Sequence, residues 1–144
     1  MINIIKDEEK VMAYIITKEH TESGTNFITP NNFSQQLAYM SHKKGHVIVP
    51  HTHNPVHRDV KLTLEVLFIK KGSVRIDFYN ETRDFLQSQI LKEGDTILLA
   101  SGGHGFEVLE DLEMIEVKQG PYAGEADKTK FDPISKQDIK PSHS

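Results

Sequence analysis

Short runs rich in Val, Ile, Leu and Phe recur between turn residues along this chain, and no stretch sustains a helical period for more than a few residues. That patterning predicts an all-β fold, a sandwich or barrel. Candidate strands are Val11 to Lys18, Gln36 to His42, His46 to His53, Leu62 to Lys70, Ser73 to Tyr79, Phe85 to Leu91, Thr96 to Leu99, His104 to Leu109 and Met114 to Lys118. Lys71-Gly72 lies between two of them and predicts a tight hairpin, because glycine accepts the positive φ of such turns. Asn80 to Asp84 and Lys92 to Asp95 read as the next two turns. At 144 residues the chain fits one domain. The expected organisation is a barrel with N-terminal strands over 1–125 and a polar tail over 126–144, its last ten or so residues disordered.

Composition removes several functions. The absence of cysteine excludes disulfides, thiolate ligands and a cysteine nucleophile, so a transition metal would have to be held by nitrogen and oxygen. A net charge of −4 with scattered lysines and arginines gives no basic stripe for nucleic acid. No apolar run approaches the ~20 residues of a membrane span, and acidic residues interrupt the N-terminus where a secretory core would continue. The expectation is a soluble cytoplasmic protein. Nucleophile-elbow, phosphate-loop and dinucleotide-binding signatures do not occur.

The remaining signal lies in His51-Thr52-His53, in Glu65, and in His104 of Gly102-Gly103-His104-Gly105. Strand parity places His51 and His53 with Val47 and Val49, Glu65 with Leu67 and Ile69, and His104 with Phe106 and Val108. Polar groups on apolar faces need partners, and one cation satisfies several together. Three imidazoles and a carboxylate suit Fe, Mn, Ni, Zn, Co or Cu, and leave positions open for water or substrate. The Leu62 to Lys70 run is apolar on its other face too, through Leu62, Leu64, Val66 and Phe68, which predicts an outer covering layer or a homodimer.

These residues resemble the cupin superfamily. Its first motif, G-x5-H-x-H-x3-4-E-x6-G, is similar to Gly45, His51, His53, Glu65 and Gly72, except that eleven residues separate His53 from Glu65. Its second motif, G-x5-P-x-G-x2-H-x3-N, is similar to Gly94 through His104, with Ala100 in place of proline, one residue missing before the histidine and Val108 in place of asparagine. The resemblance covers roughly Gly45 to Val108 and implies a double-stranded β-helix, or jelly roll, with the ligands pointing inward. Segments such as EVLFIKKGSVRIDFY and LLASGGHGFE resemble those of small single-domain cupins among bacterial surface-polysaccharide genes, and that resemblance implies a sugar or nucleotide sugar as ligand.

Two functions follow as expectations. One is a metalloenzyme, an isomerase, epimerase or dioxygenase acting on a small oxygen-bearing substrate. The other is a non-catalytic carbohydrate- or metabolite-binding module; an epimerase using a histidine base without metal is a third possibility. His57, ordinarily a solvated loop histidine, and Glu107 are candidate general bases. Arg58 and Lys61, in a polar loop, are candidate contacts to an anionic substrate.

Overall fold

A computed structural model describes residues 1–139; His143 and the end of the polar tail lie outside them. The chain is all-β. Its strands are β1 (Ile2–Asp7), β2 (Lys10–Ile16), β3 (Gly24–Phe27), β4 (Ala38–Ser41), β5 (Glu65–Tyr79), β6 (Phe85–Lys92), β7 (Thr96–Leu99) and β8 (Gly103–Lys118), followed by short 3-10 turns at Gly124–Asp127 and Lys136–Asp138. β3 and β4 pair with each other, and the other six strands form one antiparallel sheet ordered β1, β2, β7, β5, β6, with β8 on β5. Among the described residues, no helix is long and apolar enough to cross a membrane.

β5 is the spine of this sheet. Along one edge it pairs first with β7, through Glu65–Phe68, and then with β6, through Ser73–Tyr79. β8 runs along its whole opposite edge, from Lys118 beside Glu65 to Gly103 beside Tyr79. Period-two alternation sends Ile76 and Phe78 into the main core while Arg75 and Asp77 face the other way. That core adds Met12, Ala13 and Ile15 from β2 and Ile97 and Leu99 from β7. A second cluster, Tyr14, Leu64, Leu98 and Ala100, is covered by Ile28, Phe33 and Leu37. The outer layer expected over Leu64 and Val66 is thus supplied within the chain, while Phe68 and Leu62 stay exposed.

The β5/β8 ribbon curls strongly and makes the sheet a half-barrel. Glu65 and Phe78 are thirteen positions apart, about 43 Å along an extended strand. Yet Glu65 lies 3.8 Å from His104, the cross-strand partner of Phe78. The bend is taken up by register shifts between Ile69 and Lys71, Lys71 and Ser73, and Ser73 and Val74. Gly72 sits among them at φ +84°. The expected Lys71-Gly72 hairpin is therefore a bulge in one continuous strand, and the two segments expected around Leu109 to Met114 likewise fuse into β8. Asn80 to Asp84 does form a turn, in which the Asn80 side-chain oxygen accepts from the Thr82 and Asp84 backbone N–H groups.

One expected strand does not form. His46 to His53 is irregular and exposed, with Val47 and Val49 about three-quarters accessible. Alternation favours a strand only when a neighbour satisfies its backbone, and Pro50 has no N–H to offer one. β1 and β3, conversely, carry no distinctive pattern and were not among the candidates.

Candidate functional site

The two ends of the curled ribbon place Glu65 and His104 together on the inner face. Glu65 opens β5 directly after buried Leu64, and His104 follows the turn at Gly102, which has φ +76°. A Cβ on Gly102 would come within 2.7 Å of the Tyr79 carbonyl oxygen, so glycine here serves a tight chain crossing. Both side chains are mostly covered, with 19% of Glu65 and 26% of His104 accessible.

Their protonation is displaced in opposite senses. Burial, and then the neighbouring Glu116 carboxyl, push the Glu65 carboxyl up to about 7, against the pull of Lys118 and Lys128. Burial, aided by Lys128, lowers His104, with Glu116 opposing, so its imidazole is neutral at physiological pH. Near neutral pH the pair thus sets a carboxyl that still retains much of its proton next to an imidazole with a free nitrogen lone pair.

A raised acid favours the fold fully below its unfolded value of 4.5, and that contribution is lost as pH rises through about 7. Glu65→Gln is therefore expected to melt near the wild-type temperature at pH 4.5 and above it at pH 8. The expected gain is on the order of 1 kcal/mol after allowance for solvent screening. Melting curves at the two pH values check this, and equal shifts at both would contradict it.

The other sequence candidates are dispersed. His51 and His53 lie on the exposed segment before β5, their rings edge to face at 5.3 Å, and His51 Nδ1 is 2.8 Å from the Val49 carbonyl oxygen. His57 and Arg58 are exposed on the same segment. Glu107 pairs across the ribbon with Arg75, on the face opposite Phe106 and Ile76. There its carboxylate meets Arg75 Nη1 at 2.9 Å and Lys136 Nζ at 3.0 Å, away from the Glu65–His104 pair. Among the described residues, no three His, Asp or Glu side chains converge closely enough to hold a metal ion.

Glu65 and His104 open onto a cavity of about 980 Å³, large enough for a sugar-sized molecule. Lys61 lines it, and residues that sequence reading passed over complete the wall, among them Glu116, Lys118, Lys128 and Phe131. Parity along β8 would have placed Glu116 and Lys118 on the inner face with Met114. The tail carried no such signal, because its docking rests on a few separate side-chain contacts and not on a repeating pattern. Phe131 packs edge-on against Tyr79 at 5.1 Å, the Tyr79 hydroxyl accepts the Ile134 N–H at 3.1 Å, and Thr63 donates to Asp127.

Glu65 and neutral His104 are donor types that a divalent ion accepts, but even with Glu116 beside them they do not converge closely enough to hold one unaided. His51 and His53 do not reach this set in the conformation observed. The chain matches no protein-family model, no curated protein and no solved structure.

Proposed function

We propose that this chain is a cupin-type metalloprotein acting on a small oxygen-bearing molecule such as a sugar. In this reading residues 43–60 close over the half-barrel to complete a jelly roll, bringing His51 and His53 to Glu65 and His104. The main support is the convergence of Glu65 and His104, 3.8 Å apart on the inner face although they belong to opposite ends of a long ribbon. Further support comes from the free outer edge of β8, whose backbone groups lack a strand partner among the described residues, as do those of the alternating 46–53 segment.

A bound divalent ion would polarise a substrate oxygen, the chemistry needed for isomerisation or epimerisation. The chain's own residues would hold that ion: His104 offers a neutral lone pair, and Glu65 offers a carboxylate once its proton leaves. A non-catalytic binding module is the second reading. It is favoured by the exposure of His57 and by the commitment of Glu107 to Arg75 and Lys136, which leave both base candidates away from the cavity.

Calorimetric titration of the purified chain with Mn²⁺, Zn²⁺ and Fe²⁺ tests the metal site. His104→Ala and His51→Ala are each expected to weaken binding about 100-fold or more. Affinity should also fall as pH drops through about 6.5, where free imidazole protonates. Metal affinity unchanged in both variants would remove this reading.

A further inference from the structure

The charge around the cavity runs against that of the chain. The whole sequence carries −4, but the lining sets four ammonium groups, Lys61, Lys118, Lys128 and Lys130, against three carboxylates, Glu65, Glu116 and Asp127. Asp127 is already committed, since it accepts from Thr63 and pairs with Lys118 at 3.9 Å. Lys61, Lys128 and Lys130 make no ion pair among the described residues and are all solvent-exposed at the rim. Lys128 is near enough to act electrostatically on both Glu65 and His104. Beside these cations Tyr122 is 87% exposed, presenting a free aromatic face to the cavity.

An unmatched group of cations in a walled cleft concentrates anions locally even on an acidic protein. We propose that Lys61, Lys128 and Lys130 form an anion seat that takes the phosphate or carboxylate of a small molecule, whose uncharged remainder lies between Tyr122 and the Glu65–His104 floor. The seat rests on the preceding reading in one respect only, that this cavity is the ligand site. It adds a substrate class, an oxyanion-bearing small molecule. It also gives residues 128–130 of the tail a part in recognition.

The test uses the full chain and amide NMR titrations with glucose 6-phosphate, malonate and glucose at 20 and 200 mM salt. The first two separate phosphate from carboxylate as the preferred oxyanion, and the third is the uncharged control. An anionic probe is expected to bind at least about tenfold more tightly than glucose, and less tightly at the higher salt. Lys128→Gln/Lys130→Gln should remove about tenfold of that preference, while Lys92→Gln should not. Both tail lysines are exposed, so the double variant is expected to fold, and its unchanged amide spectrum away from the cavity checks this.

Equal binding of charged and uncharged probes, no binding by any probe, or an unchanged preference in the double variant would overturn the seat. Metal titration of the same samples keeps the two readings apart. Intact metal affinity without anion preference removes the seat alone, and anion preference without metal binding removes the metal site alone.

Discussion

Gly72→Ala is expected to destabilise the fold by about 3 kcal/mol or more, lowering the melting temperature by roughly 10 °C. A Cβ at this position would sit 2.0 Å from the Asp111 carbonyl oxygen and 2.8 Å from its carbon, and Gly72 has φ +84°. Both obstructing atoms are backbone, so relief requires the two strands to separate where the ribbon bends. The effect should reach the site as well, because the same bend brings Glu65 to His104. Gly45→Ala is the matched control: its φ is +93°, but nothing lies within 4 Å of an added Cβ, so only the conformational cost of about 1 kcal/mol should appear. Urea unfolding of both variants measures the difference, and equal losses would show that β5 and β8 do not approach closely at Gly72.

Asp77→Ala should cost about 3 to 5 kcal/mol, because it strands a partly buried cation and a buried hydroxyl together. The Asp77 carboxylate accepts from Ser88 Oγ at 2.5 Å and from Arg75 Nε and Nη2 at 2.8 and 3.1 Å. Ser88 is wholly buried and Asp77 only 6% accessible. Glu107 still pairs with Arg75 after the substitution, which holds the loss towards the lower end of the range. Replacing Arg75 and Asp77 together with methionine and leucine should recover much of the stability, since apolar groups of similar volume need no partners. A double-mutant cycle reads the coupling, and additive losses would mean that the pair is not energetically linked.

The strands that sequence alone disclosed are those whose neighbours confirm their alternation. β2, β6 and β7 lie within a residue or two of expectation because Ile15, Leu91 and Ile97 each bury one side in the same core. β5 and β8 were legible only as halves. Gly72 reads locally as a turn, and whether its positive φ reverses a strand or bends it depends on the partner across the ribbon. His46 to His53 shows the converse: Val47, Ile48 and Val49 have strand propensity, but propensity does not supply a partner. For the site, parity identified the inward faces of Glu65 and His104 because both sit in paired strands. It had no such footing for His51 and His53, and it was silent on Lys128, whose position comes from the docking of Phe131 three residues later.

The tail closing one side of the cavity is held differently from the sheet behind it. Its anchors are the Phe131 ring, set between Tyr79 and the Arg83 guanidinium, one amide on the Tyr79 hydroxyl, and polar links from Asp127 to Thr63 and Lys118 and from Lys136 to Glu107. The sheet rests on a continuous apolar core and full strand ladders. Two parts of the chain therefore have separate thresholds for opening, and the weaker one borders the cavity. Hydrogen exchange would show residues 128–134 releasing their amides well before β5. Release of the tail would open that side of the cavity without disturbing the curl that keeps Glu65 and His104 in register.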